Sequence, residues 1–226
     1  MSSFWTIIPV KDTRFSKQRL AARLNAVQRQ KLALVMLEDV LAAVAPTADQ
    51  SRPVLVTVDA AAIALAASYG ARVVDDGAGD GHTGSVTAAA RRLAGEGARG
   101  FLTVPGDVPL VTSEEVLRIL DVHQAAAPAF TIAPSHDELG SNAVAMSPPG
   151  AVTLRFGDDS YRPHLAAARS AGIEPGIVNL AGVAEDVDTP ADLDRISAIA
   201  GLRATRTFTL LEEFASDQLT PAESTS

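Results

Sequence analysis

Two short acidic motifs and one basic loop hold the residues best suited to chemistry. Asp107 lies in Gly106-Asp107-Val108-Pro109-Leu110 directly after an apolar run, and Asp186 and Asp188 alternate in Asp186-Val187-Asp188-Thr189-Pro190. A carboxylate at the end of a strand offers the hard oxygen that Mg²⁺ prefers. Residues two apart in extended backbone share a side, so Asp186 and Asp188 can converge on one or two metal ions. Each motif also has a plainer reading. Asp107 could simply shape the turn between Gly106 and Pro109. Asp188 or Thr189 could cap a following helix, with Asp186 favoured by its dipole, although capping accounts for one acid better than for two. The basic partner is Pro9-Val10-Lys11 followed by Lys17-Gln18-Arg19-Leu20. Flexible cations after a strand can embrace a polyphosphate and offset the charge that develops in phosphoryl or nucleotidyl transfer.

These groups need a scaffold, and hydrophobic periodicity supplies its outline. Phe4 to Val10 is an apolar, β-branched run that predicts a first strand, and a helix is predicted from about Ala26 to Val44, stopped by Pro46. Strands at 53–58, 72–75 and 101–104 alternate with an alanine-rich helix at 60–69 and a second helix that runs to about Leu93 and is capped by Thr83 or Ser85. Thr112 or Ser113, with Glu115 nearby, opens a further helix. Beyond Val122 the pattern predicts strands at 129–133, 142–146 and 177–180, a helix at 161–171, and a last core helix from Thr189-Pro190. Such alternation predicts an α/β, three-layer, Rossmann-like domain around a mostly parallel sheet. Ligands of such sheets sit beyond the carboxyl ends of the strands. Lys11 to Arg19, Asp75 to Gly84, Asp107 and Asp186 to Asp188 all fall there. The domain is expected to span 1–201. The remainder, 202–226, reads as a C-terminal tail in which Phe208 to Phe214 can pack and Ser216 to Ser226 is disordered.

Composition excludes several classes. The 226 residues contain no cysteine, which removes disulfides, thiolate metal sites and a cysteine nucleophile. A net charge of −8 argues against general nucleic-acid binding. Within this acidic chain, Lys11, Arg14, Lys17, Arg19, Arg23, Arg29 and Lys31 cluster around a single acid, Asp12, as a focused anion site would require. A solvated helix face is an equally good reading of Arg23, Arg29 and Lys31. No apolar run approaches the roughly 20 residues that span a bilayer, and the N-terminal run lacks the basic region and cleavage site of a secretory signal, so a cytoplasmic protein is expected. No GxxxxGK[ST] or GxSxG element occurs. His82, His123, His136 and His164 are scattered without metal-ligand spacing, and Trp5 and Tyr161 read as packing residues.

In order along the chain stand IPVK at 8–11, KQRL at 17–20, GDVPL at 106–110, GSN at 140–142, FGDDSYRPH at 156–164 and DVDTPADL at 186–193. This set resembles the guanylyltransferases of deazaflavin coenzyme (F-420) biosynthesis, which are similar to the molybdenum-cofactor nucleotidyltransferases. The resemblance covers about residues 5 to 197, and FGDDSYRPH is its discriminating segment. It implies a nucleotidyltransferase fold and transfer of GMP from GTP to phosphoenolpyruvate, 2-phospho-L-lactate or 3-phospho-D-glycerate, with release of pyrophosphate. It implies Mg²⁺ held by Asp107, Asp186 and Asp188, nucleotide contacts from Pro9, Val10, Lys11, Lys17 and Asp107, and catalytic roles for Lys17, Arg19 and Asp107. The acceptor is placed against Asn142, Gly157 and Ser160, with the Asn142 amide and Ser160 hydroxyl as donors and Ser160 also able to cap the next helix. Expected partners are GTP and a small phosphorylated acid, a second copy of the chain as a candidate homodimer, and a downstream transferase that receives the product; no nucleic acid or membrane is expected. Gln18 replaces an expected serine, and Gly81-His82-Thr83-Gly84-Ser85 replaces an expected Gly-Leu-Asn, which leaves base identity open. The competing readings are a nucleotidyltransferase for the molybdenum cofactor or a sugar phosphate, and a catalytically inactive nucleotide-binding regulator.

Overall fold

A computed structural model describes residues 4–123 and 127–219. Among the described residues seven strands form one sheet: β1 (Phe4–Pro9), β2 (Arg52–Val56), β3 (Arg72–Val74), β4 (Gly100–Thr103), β5 (Ala129–Pro134), β6 (Ser141–Ser147) and β7 (Gly176–Ile177). Their order across the sheet is β3-β2-β1-β4-β6-β5-β7. Only β6 runs against its neighbours, pairing antiparallel with β4 and with β5, whereas the other pairings are parallel. The mostly parallel α/β sheet expected from the alternation is therefore present.

Helices cover both faces, and strand pleating decides which residues meet them. Ile8, Leu55 and Leu102 point into one core, filled by α1 (Ala26–Val44), α2 (Ala60–Ser68) and α4 (Ser113–His123). Their neighbours Ile7, Val54 and Phe101 point the other way, into a second core with α3 (Gly81–Gly95) and α5 (Tyr161–Ser170). The long helix α1 begins where its sequence predicts. Asn25 accepts from the Gln28 backbone N–H while the Gln28 side chain accepts from the Asn25 N–H, a reciprocal cap that satisfies two otherwise orphaned donors.

Three expectations change, and the first is the strand expected at 177–180, which is only the two residues of β7. Helix α3 starts at Gly81, earlier than a Thr83 or Ser85 cap allows, because both hydroxyls bond elsewhere. Ser85 Oγ donates to the Gly77 carbonyl and Thr83 Oγ1 accepts from the Phe156 N–H. The segment from Leu202 is also more than a tail. A 3₁₀ turn at Ala200–Ala204 leads into α7 (Arg206–Leu219), so α6 (Pro190–Ser197) is not the last helix. Leu210 and Phe214, four residues apart on one face of α7, join Leu32 and Met36 of α1 and Leu193 and Ile196 of α6 in a third core. An amphipathic helix stays ordered when its apolar stripe finds a partner, and the outer face of α1 provides one. Residues 220–226, the remainder of the expected disordered segment, lie outside the described residues.

The start of α7 is fixed from across this interface. Buried Asp39 of α1 accepts from the Arg206 and Thr207 backbone N–H groups at 3.0 and 2.9 Å and from Thr207 Oγ1 at 2.7 Å. It is an N-terminal cap supplied by another helix. Asp39→Ala should lower unfolding free energy by about 2 kcal/mol, as expected for losing a charged cap whose partners stay buried, and urea titration measures it.

Candidate active site

The loops that follow β1, β3 and β4 converge at the carboxyl end of the sheet. The beginning of β6 joins them, because its reversed direction brings its first residues, Ser141 and Asn142, to the same edge. Two adjoining cavities occupy this edge. One, about 460 Å³, is lined by Val10, Lys11, Lys17, Arg19, Gly106 and Asp107 among others. The other, about 690 Å³, is lined by Asn142, Gly157, Ser160, Asp186 and Asp188 among others. Lys11, Arg19, His82, Pro105, Asp107, Asp158 and Asp188 border both. Pro9 lines neither, since it is still paired with Val56 as the last residue of β1; Val10 is the first residue of that stretch to face the cleft.

Lys17 stands at the centre. Its side chain is 7% exposed, and Nζ donates to Asp107 Oδ2 at 2.5 Å and Asp188 Oδ1 at 2.8 Å. Burial alone would drive the ammonium toward neutrality, but the two carboxylates outweigh it and hold its pKa above the usual lysine value. Its backbone adopts the left-handed conformation, φ 54°. For a residue without glycine's freedom this is strained, and such strain gathers at functional sites. The helix-start reading of the acidic pair is settled by α6. Thr189 is the N-cap and forms its reciprocal box with Asp192, so neither Asp186 nor Asp188 is needed for capping. Asp186 is raised above the usual carboxylate range, chiefly by burial and further by Asp107 and Asp188, while the Asn142 amide opposes the shift. The three acids thus share one electrostatic environment. Among the described residues no three acidic or histidine side chains already form a metal-holding group.

The acceptor-side residues are gathered, but with altered roles. Asn142 Nδ2 donates to the Val183 and Ala184 carbonyls and to Asp186 Oδ1, at 3.0, 3.2 and 3.0 Å. Its N–H groups are thereby committed to the protein, and Asn142 orients Asp186 instead of presenting a donor. Ser160 Oγ accepts from the Ser141 N–H and bonds Ser141 Oγ, and it makes no cap bond to α5 although it occupies the N-cap position. Gly157 borders the same cavity, and a Cβ there would meet no protein atom within 4 Å.

Two participants escaped the sequence reading. Asp59, at the start of α2, accepts from the Thr13 N–H and hydroxyl with one oxygen and from the Ala61 and Ala62 N–H groups with the other. It clamps the cationic loop to the end of β2, and its only signal in the sequence is an acid directly after an apolar strand. His82 lies against Phe156, ring centroids 4.3 Å apart and nearly parallel. Its signal was the departure at Gly81 to Ser85, but nothing local links it to a residue 74 positions away. Arg29 and Lys31 belong elsewhere: Arg29 donates to the Leu24 carbonyl, and Lys31 pairs with Glu213 of α7.

Residues 4–212 match the family described as "Guanylyl transferase CofC like". The chain belongs to that family. A phosphoenolpyruvate guanylyltransferase of Rubrobacter xylanophilus is 34% identical over 201 residues, covering 89% of this chain and 97% of that one. A 3-phospho-D-glycerate guanylyltransferase of Colwellia psychrerythraea is 31% identical, covering 86% and 91%. Among solved structures, a chain of Desulfovibrio desulfuricans G20 assigned to the nucleotide-diphospho-sugar transferases superposes with a TM-score of 0.74 over 96% of both chains at 20% identity, which shows the shared fold. Among the described residues no helix is long and apolar enough to cross a membrane.

Three histidines of this guanylyltransferase-family chain, His82, His123 and His164, are held neutral by burial, each pushed down to about 4. A lowered native value means that the unfolded chain binds more protons between about pH 6.5 and pH 4. Their contribution to stability is therefore complete above pH 6.5 and lost as pH falls through that window. Urea midpoints should decline from pH 7 to pH 4.5, and NMR titration should show these three rings still neutral at pH 5.5.

Proposed function

We propose that this chain transfers GMP from GTP to a small phosphorylated carboxylic acid, with phosphoenolpyruvate, 3-phospho-D-glycerate and 2-phospho-L-lactate as the candidate acceptors. The observation that carries this reading is the placement of buried Lys17 between Asp107 and Asp188, where the two cavities meet. One cavity, bordered by the cationic loop, suits a triphosphate; the other suits a compact polar acceptor. An oxygen of the acceptor's phosphate would attack the α-phosphorus of GTP, and the bond from that phosphorus to the bridging oxygen of the β-phosphate would break to release pyrophosphate. The nucleophile is already anionic, so the protein need not supply a general base. What it must supply is alignment and relief of anion repulsion. Lys11 and Arg19, which border both cavities, are suited to the phosphates, and Gly157 to close approach by the acceptor.

Asp107, Asp186 and Asp188 are the residues proposed to hold Mg²⁺. The fit rests on the donor set: three hard carboxylates in one electrostatic environment, with Lys17 Nζ neutralising two of them. Mg²⁺ commonly takes one or two carboxylates plus substrate phosphates, not a complete protein cage. Once bound, it would neutralise charge on the phosphates and on the departing pyrophosphate. Lys17 would then be free to turn its ammonium toward a phosphate. The cytoplasmic site, the homodimer and hand-over of the product to a downstream transferase belong to the same proposal.

A pyrophosphate-release screen of the four NTPs against phospho-acids and sugar phosphates tests the reaction. Turnover should require GTP, a phospho-acid and a divalent cation, and should stop with EDTA; a preference for sugar phosphates would overturn the assignment. Asp107→Asn and Asp188→Asn should each lower kcat/KM about 100- to 1000-fold, the range for losing one preorganised transition-state contact. Lys17→Ala should cripple GTP use, whereas Lys31→Ala, at an exposed ion pair, should change it less than twofold.

A further inference from the structure

The wall between the two cavities contains a buried polar atom that nothing in the protein satisfies. His82 borders both cavities, and its Nε2 is buried without a hydrogen-bond partner. Buried polar atoms are nearly always paired, so an exception calls for a reason. The ring is also part of a continuous chain of contacts that ends at the acceptor side. It stacks on Phe156, whose N–H donates to Thr83 Oγ1 at 2.9 Å. Phe156 meets His164 edge-on with centroids 5.0 Å apart. His164 Nε2 accepts from the Arg155 N–H, and its Nδ1 is 3.0 Å from Ser141 Oγ. Ser141 in turn bonds Ser160 through both its N–H and its hydroxyl. A ligand atom can reach the enclosed Nε2 only if the imidazole shifts. The imidazole cannot shift without disturbing Phe156, which directly precedes Gly157.

We propose that His82 is a positioning residue that couples the two halves of the cleft: a bound nucleotide supplies the hydrogen bond that Nε2 lacks, and the resulting ring movement, passed on through Phe156, orders the Gly157–Ser160 wall for the acceptor. Burial keeps the imidazole neutral, with a pKa of about 4, so near pH 7 the ring has one donor and one acceptor nitrogen and works as a hydrogen-bonding group, not as a cation. Coupling between sites is reciprocal, so the acceptor must tighten nucleotide binding by the same factor.

This inference rests on the guanylyl-transfer reading, and the experiment separates the two. Calorimetry measures phosphoenolpyruvate binding to the whole protein with Mg²⁺, alone and then saturated with a non-hydrolysable GTP analogue. The nucleotide should tighten acceptor binding about tenfold, within the usual range of such couplings. His82→Phe keeps an aromatic stack but offers no nitrogen, and Phe156→Leu removes the stack but keeps the nitrogen. In each, the factor should fall to below about twofold, and kcat/KM for the acceptor should fall while circular dichroism and the melting temperature stay near wild type. An undiminished factor in folded His82→Phe, or no coupling in the wild type, overturns the proposal. If a variant fails to fold, His82→Gln, which keeps hydrogen-bonding capacity but lacks the ring that stacks on Phe156, replaces it; loss of coupling in folded His82→Gln supports the role, and coupling equal to wild type there overturns it. Failure of the guanylyl-transfer reading looks different, because then no phospho-acid turns over with GTP in the wild-type protein.

Discussion

The structure of the cleft depends on one buried ammonium. Asp107 comes from the loop after β4 and Asp188 from the segment that enters α6, regions far apart in sequence. Two carboxylates within reach of one ammonium repel each other. Lys17 offsets that repulsion. The cation costs desolvation, yet the two acids in hydrogen-bonding range outweigh that cost and keep Lys17 charged. The left-handed backbone at Lys17 is tolerable because the surroundings over-determine it: Asp59 pins Thr13 four residues earlier, and Leu20 is anchored in the core formed with α1 and α6. The loop is thus held at both ends, with its charged side chain delivered to the middle of the cleft.

This arrangement ties site and fold together through α1. The inner face of α1 lines the nucleotide-side cavity with Ala33 and Leu37, while its outer face carries the third core and, through Asp39, the start of α7. No described residue of the C-terminal helix lines either cavity. That helix nevertheless braces the one that forms the floor of the cavity, so integrity of the site extends to a segment far from the chemistry.

Much of this was legible in the sequence because it is local. Periodicity gave the alternation of strands and helices, the boundaries of α1 followed from its apolar spacing and Pro46, and strand-end placement singled out Lys17, Asp107 and Asp188. What stayed hidden depends on partners distant in sequence. The insertion of β6 between β4 and β5 is a choice among pairings that no single strand encodes. The amide of Asn142 looked available because the carbonyls of Val183 and Ala184 could not be placed beside it. The pattern of α7 was readable, but not the surface it covers. His82 looked unremarkable because its partner, Phe156, comes from another motif.

The reversed direction of β6 also bears on how such a site can diversify. A parallel strand reaches the functional edge with its last residue and then hands over to a loop and helix that the rest of the sheet needs. β6 arrives there with its first residues, fed by the short connection 135–140 from β5. That connection overhangs the acceptor cavity through Ser135, His136, Asp137, Leu139 and Gly140, yet both strands it joins are secured by pairing along their length. Its backbone is fixed by bonds from the His136 N–H to the Ala184 carbonyl and from the Tyr161 N–H to the Leu139 carbonyl, so its frame is held by main-chain groups while its side chains face the cavity. In the proposed reaction the hairpin is the edge on which selectivity for one small acid over another would drift while the transfer machinery stays fixed.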